Sequence, residues 1–401
     1  MSHKHDPEKW LPVFGKDHAQ NKEVERDDDS TRSHRALAAE AADGSALDRL
    51  ADTLLRSDVP ADLREAARDI HSLLLAAAMA GRPDETLDPH DTVLPDGDAI
   101  SPESAARCVL DYTRTSQFLR GMRLALKAAL ERFSERPLDI LYAGCGPFAP
   151  LGLLLTHCFS PLDVRFTLID IHELSLSSAR RVFEAFGRGE FIGDCLACDA
   201  ATYRHPTAMH VVIAETMQRA LQKEPQVAVI LNLAPQLKEG GILVPEAITV
   251  RSALYDARHE FGPIASARIR IDLGPLLELD AENARDLLRR IKTDAAGARS
   301  LPQGCLRIPA GLDPELRLML RTSVKVFGPA ALDDYDSGIT YPVHLHKLGS
   351  CGPRRELAYC YRLGCKPGFD VWWPSSAAPS SPSSEGGFLA RREAWHFGQH
   401  S

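Results

Sequence analysis

Apolar residues three and four apart at Leu47, Leu50, Leu54 and Leu55 predict one face of an amphipathic helix. Pro60 interrupts that pattern. Leu63-Arg64-Glu65-Ala66-Ala67 then opens a second helix running toward residue 80. Residues 81–100 are rich in Pro, Asp and Gly and predict a loop. A helix start follows: Ser101 suits a cap, Pro102 a first turn, and Glu103 the positive end of the dipole. This helix is expected to reach about Phe133, with a break near Gly121.

From residue 138 the period changes. Leu138–Tyr142, Val164–Asp170, Phe191–Cys198, Val211–Ala214 and Gly241–Val244 are short apolar runs and predict strands. Leu151–Thr156, Leu174–Phe186 and Val227–Leu237, the last opened by Pro225, predict the helices between them. Strands alternating with helices imply an α/β fold with a parallel, Rossmann-like sheet. Beyond about Ile248, Ala267–Leu273 and Leu316–Phe327 alternate apolar with polar, as half-buried antiparallel strands do. A helix at about 281–292 interrupts them, and Leu357–Leu363 adds a further strand.

The expected organisation is thus a loosely ordered N-terminus (1–45), a helical N-terminal segment (46–134), a Rossmann-like domain (135–248), a β-rich C-terminal domain (249–373) and a disordered tail (374–401). The first segment is dominated by charge, including Asp27-Asp28-Asp29, with Trp10–Phe14 as a stretch able to dock. The tail is rich in Ser, Pro and Gly.

At 401 residues the chain has room for two or three domains. A formal net charge of −8 gives no electrostatic reason to expect a nucleic-acid or anionic-membrane partner. Met1 to Glu8 shows no apolar leader, and runs such as Leu73–Ala80 are too short to span a bilayer. Nine scattered cysteines, an odd number, read as reduced thiols, so a cytoplasmic location is expected.

The chemistry concentrates where strands end. The loop Tyr142-Ala143-Gly144-Cys145-Gly146-Pro147 between a first strand and a helix lets backbone approach a ligand closely. Asp170 ends the second strand, where a carboxylate can take both hydroxyls of a ribose, and Asp199-Ala200 ends the third, where an acceptor can meet an adenine amino group. A solvated strand end is the alternative for each acid. The run from Leu138 to Pro245 resembles the class I S-adenosylmethionine-dependent methyltransferases. That resemblance implies S-adenosylmethionine as cofactor: Gly144 and Gly146 along its methionine part, Asp170 on the ribose, Asp199 and Ala200 at the adenine. Tyr142 and Phe148 depart from the family, which usually has an acid and a third glycine there.

A closer resemblance starts at Val211-Val212-Ile213-Ala214-Glu215-Thr216-Met217-Gln218 and runs on to Glu224. It looks like the protein arginine methyltransferases, in which a strand runs into a loop with two glutamates nine apart. Paired carboxylates can clamp a planar cation and keep its nitrogen aimed. A helix-capping or loop role is the alternative, above all for Glu224 before Pro225. Arg114-Thr115-Ser116-Gln117-Phe118 resembles the helix in that family whose arginine binds the cofactor's carboxylate; a solvated arginine is the alternative. The family's Thr-His-Trp element is missing. Thr340–His344 is its nearest counterpart, so peptide-arginine specificity does not follow.

Cys195 and Cys198 form a CxxC in a strand expected to be buried, and read as core cysteines, not zinc ligands. His344, His346, Cys351, Cys360 and Cys365 cluster, but alternating His-x-His also fits one strand face, and no metal is expected. Trp372-Trp373 reads as packing.

The leading expectation is an S-adenosylmethionine-dependent methyltransferase acting on an amine or guanidine nitrogen of a small molecule or side chain. Glu215 and Glu224 would be its catalytic pair, and Arg114 would sit on the cofactor. Two alternatives stay open. One is a cyclase resembling azetidine-2-carboxylate synthases, with Tyr142 stabilising the sulfonium and a carboxylate or phenol taking the amine proton. The other is a non-catalytic sensor of the cofactor. A homodimer through the β-rich region and a wall around a small pocket are both left open.

Overall fold

The computed structural model describes residues 44–82, 86–261, 268–347 and 356–374. The expectations for the N-terminus before Gly44, for the tail after residue 374, for Cys351 and for the His346 side chain lie outside the described residues.

Two helices come first, α1 (Gly44–Arg56) and α2 (Pro60–Met79). Leu47, Leu54, Leu63, Ile70 and Leu74 are buried, as their spacing requires. The Pro/Gly-rich stretch that reads as loop contains a hairpin instead, β1 (Thr92–Leu94) paired antiparallel with β2 (Gly97–Ala99). Its signal is Pro95-Asp96-Gly97, a turn sequence between two short runs.

Ser101 caps α3 (Pro102–Arg107), accepting from the Ser104 N–H at 3.2 Å. The helix breaks earlier than expected, through a 3-10 turn at Cys108–Leu110, and Asp111 caps α4 (Tyr112–Arg132) afresh. Gly121 lies unbroken inside α4. A Cβ there would meet Val326 Cγ1 at 2.4 Å, so this glycine serves close packing, not a break.

The parallel sheet follows: β3 (Leu138–Ala143), α5 (Pro150–Leu153), β4 (Val164–Asp170), α6 (Glu173–Ala185), β5 (Ile192–Ala197), β6 (Met209–Ala214), α7 (Gln226–Leu233) and β7 (Leu237–Val244). The spatial order is β5-β4-β3-β6-β7, with every neighbouring pair parallel. This is the α/β sheet that the alternating pattern predicts. β6 is buried along its whole length, the mark of a central parallel strand. β5 is the correction: at the sheet's edge it is half exposed, and Cys195 and Cys198 are only partly covered. The helix expected over 151–156 shrinks to one turn, followed by a 3-10 turn at Thr156–Cys158, with Leu151, Leu153, Leu154 and Leu155 all buried.

The rest is mainly antiparallel. β8 (Ala247–Tyr255), α8 (Ala257–Glu260), β9 (Arg270–Asp280), α9 (Ala281–Arg289), β10 (Lys292–Thr293), β11 (Arg299–Ser300), β12 (Gly304–Arg307), β13 (Arg317–Phe327), β14 (Ala330–Leu332), β15 (Val343–Lys347), β16 (Glu356–Leu363) and β17 (Gly368–Trp372) supply two five-stranded sheets. One runs β14-β13-β8-β9, with β15 also on β13. The other runs β10-β11-β16-β12, with β17 on β16. One hydrophobic cluster runs from Leu47 through the parallel sheet to Phe369. The two antiparallel sheets are therefore packed into the same core as the parallel one. No described helix is long and apolar enough to cross a membrane.

Candidate functional site

The strand order reverses at β3, which pairs with β4 on one side and β6 on the other. Open α/β sheets leave a crevice beyond the carboxyl ends of such strands. A cavity of about 940 Å³ opens there. Tyr142, Gly144 and Gly146 line it after β3, Asp170 and His172 after β4, Asp199 and Ala200 after β5, and Glu215 after β6. Arg114 from α4 and Glu224 before α7 complete it. Every residue singled out for a cofactor or for catalysis thus faces one space.

The glycine loop is tight for identifiable reasons. Gly144 and Gly146 have φ of 69° and 64°, the left-handed region that suits glycine. A Cβ on Gly144 would meet Thr216 Cγ2 at 2.3 Å. Asp170 braces the loop: its Oδ2 accepts from the Gly146 N–H at 2.9 Å, and its Oδ1 accepts from the His172 N–H at 2.9 Å. Oδ1 also meets His172 Nδ1 at 3.2 Å, so Oδ2 is the oxygen that keeps a further lone pair for a ligand. Asp199 Oδ1 accepts from the Ala201 N–H at 2.8 Å and so turns the chain after β5.

The other end of the cavity holds charge with little water. Arg114 Nη2 donates to Glu215 Oε2; the two side chains are only 14% and 11% exposed. Burial opposes the arginine's charge, but the Glu215 carboxylate more than offsets this and holds the guanidinium protonated above its ordinary range. Burial pushes the Glu215 carboxyl up, against the pull of Arg114. Glu215 Oε1 is buried and has no hydrogen-bond partner among the described residues. Glu224 is also buried, and burial together with the nearby Glu215 charge raises its carboxyl to about 7. Cys108 lies beside these groups, and burial pushes its thiol to about 11. Tyr142 is buried too. Burial lifts its phenol well above the ordinary value, so it keeps its proton.

The chain between the two glutamates is strained and braced. Ala220, Leu221 and Lys223 have φ of 52°, 53° and 69°, each costing about 1–3 kcal/mol for a non-glycine residue. At the α7 side, fully buried Gln226 accepts from Thr216 N and Thr216 Oγ1 at 2.8 Å each, and its Nε2 donates to Ala214 O at 2.8 Å. The antiparallel sheets reach the same loop. Thr322 Oγ1 accepts from Ala220 N at 2.8 Å, and Tyr361 Oη donates to Leu221 O at 2.5 Å.

Two contributors, the β1–β2 hairpin and Asp111, are missed by sequence reasoning, and a third, the turn before Tyr341, is met there only through the Thr340–His344 stretch. The β1–β2 hairpin borders the cavity: Thr92 Oγ1 lies 3.0 Å from His172 Nε2, and Asp98 N donates to Lys223 O at 2.7 Å. Asp111 joins α4 to the β-rich region; its Oδ1 accepts from Arg114 N, and its Oδ2 from Ser337 Oγ at 2.6 Å and Gly338 N at 3.1 Å. The turn that follows places Ile339 and Tyr341 on the cavity wall. Only the hairpin has a local sequence signal. Phe148, at the position of the methyltransferase family's third glycine, takes no part in the cavity wall. It packs against His71, ring centres 6.1 Å apart, so it cannot act on a bound ligand directly.

No known family model and no curated protein matches the sequence. Among solved structures, the chain is similar to the Trypanosoma brucei PRMT1 enzyme–prozyme heterotetrameric complex with AdoHcy. The likeness has a TM-score of 0.41 at 13% identity and covers 67% of this chain and 93% of that one.

Proposed function

We propose that the cavity binds S-adenosylmethionine and that the chain transfers its methyl group to the nitrogen of an amine or guanidine acceptor. The observation that carries this reading is the shared cavity. Glu215, with a buried and unpartnered Oε1, and Glu224 face the same space as the glycine loop and Asp170. The residues suit the cofactor. The backbone at Gly144 and Gly146 leaves no side chain between loop and ligand, and Asp170 Oδ2 has a lone pair for a ribose hydroxyl. Asp199 and Ala200 would hold the adenine. Arg114 spends one of its five N–H donors on Glu215, which leaves others for the methionine carboxylate.

The cofactor supplies an activated methyl on a positively charged sulfur. The chain's residues then have to orient a nucleophile and take its proton. Glu215 Oε1 accepts a hydrogen bond from the acceptor nitrogen, while Arg114 fixes the carboxylate's orientation. Glu224, with a carboxyl near 7, releases its proton around neutral pH and receives the one that the nitrogen loses.

The test is incubation with S-adenosylmethionine, without and with amine and guanidine acceptors. S-adenosylhomocysteine formed only when acceptor is present supports the reading. Methylthioadenosine from the cofactor alone overturns it in favour of intramolecular cyclisation, and binding without turnover favours a sensor. Asp170→Ala should weaken binding of S-adenosylhomocysteine at least tenfold by calorimetry, about 1.4 kcal/mol. An unchanged affinity removes Asp170 from the cofactor site.

A further inference from the structure

The loop between the two glutamates sorts its charges by depth. Glu215 and Glu224 are withdrawn from solvent, whereas Arg219 and Lys223, from the same ten residues, are exposed and line the same cavity. Neither cation forms an ion pair with a described residue. Three further acids share the lining, Asp91, Glu103 and Asp111; Asp91 accepts from Ser101 N at 2.7 Å, and Asp111 accepts from Arg114 N, Ser337 Oγ and Gly338 N. Arg107, also exposed, adds a third positive charge to the lining. The strained backbone holds this arrangement, since Lys223 itself has a φ of 69° and donates its N–H to Pro367 O at 3.3 Å. The cavity therefore keeps its paired glutamates inside and two cations without an ion-pair partner among the described residues, Arg219 and Lys223, toward solvent.

Its size supports the same conclusion. At about 940 Å³ it lies near the top of the range for small-molecule pockets, about 300–1,000 Å³, so a cofactor and a compact second ligand can share it. We propose that the acceptor is a small zwitterion, whose cationic nitrogen meets Glu215 and Glu224 and whose carboxylate is held at the mouth by Arg219 and Lys223. A carboxylate between two such cations gains charge-assisted hydrogen bonds, whereas a neutral or cationic group there does not. The inference rests on the methyl-transfer reading and narrows its acceptor class.

The experiment uses the full chain saturated with S-adenosylhomocysteine. Calorimetry compares L-arginine with L-argininamide and L-lysine with L-lysinamide, pairs that differ in the carboxylate. The expected result is at least tenfold tighter binding of one free acid over its amide. The double variant Arg219→Gln/Lys223→Gln should erase that preference while leaving S-adenosylhomocysteine affinity unchanged. Turnover with S-adenosylmethionine should show the same ratio. Equal or tighter binding of the amides overturns the proposal, as does a saturated protein that binds none of the four. Failure of S-adenosylhomocysteine itself to bind is a different result, because it removes the methyl-transfer reading on which the proposal stands.

Discussion

The two walls of the cavity are built on opposite principles. The wall after β3 and β4 is braced from within the parallel sheet. Glycines take its left-handed positions beside the cavity, Gly144 and Gly146, with Ala149 in the same region at the next helix start, and Asp170 secures the loop across 24 residues of chain. The wall between Glu215 and Glu224 puts ordinary side chains in the left-handed region and is held by Thr322 and Tyr361, 102 and 140 residues away from their partners. The second wall is tied to the antiparallel sheets as well as to Gln226, so the loop that carries the carboxylates depends on how those sheets pack against it. The difference teaches that the antiparallel region is part of the site, although it supplies few of the charged groups in it.

That contrast can be broken most forcefully at the ion pair. Glu215→Gln leaves the Arg114 charge partly buried without its counter-charge, and should lower unfolding free energy by about 3–5 kcal/mol. Chemical denaturation measures this. A loss below about 1 kcal/mol would mean the pair is solvated and the second wall softer than described.

The next effect is on pH. The Glu224 carboxyl lies at about 7 in the folded chain against an ordinary 4.5, so between those values the folded state binds more protons than the unfolded one. Stability conferred by the neutral carboxyl is therefore lost as pH rises through that window, by up to roughly 3 kcal/mol. Glu224→Gln should flatten this part of the stability profile. Identical slopes in wild type and variant would contradict the burial assigned to Glu224.

The smallest effect sharpens the comparison. Tyr361→Phe removes the hydrogen bond to Leu221 O and should cost about 1–2 kcal/mol, with a lower kcat and an unchanged affinity for S-adenosylhomocysteine. Lost stability with unchanged kcat would make the antiparallel prop structural only.

Much of the first wall is legible in the chain itself. A glycine loop after an apolar run, and acids at the ends of the next two, are local patterns, and local backbone rules decide where they point. The nine-residue spacing of Glu215 and Glu224 is legible too, but not their environment. The helix breaks at Cys108–Asp111 and not at Gly121, because a glycine in a helix reads the same whether it ends the helix or admits a neighbour. β5 reads as buried because an apolar run does not say whether it lies at the centre or edge of its sheet.

The sequence by itself determined the alternation of strand and helix, the positions of the strand ends and the residue types placed there. These follow from periodicity and from the short-range sterics of glycine, proline and capping side chains. Only the tertiary structure decided that Arg114 meets Glu215 across 101 residues, that Glu224 is dry enough to titrate near 7, and that Ile339 and Tyr341 close the cavity. Ion pairing, desolvation and the docking of distant turns depend on which surfaces pack together. No local pattern along the chain encodes that.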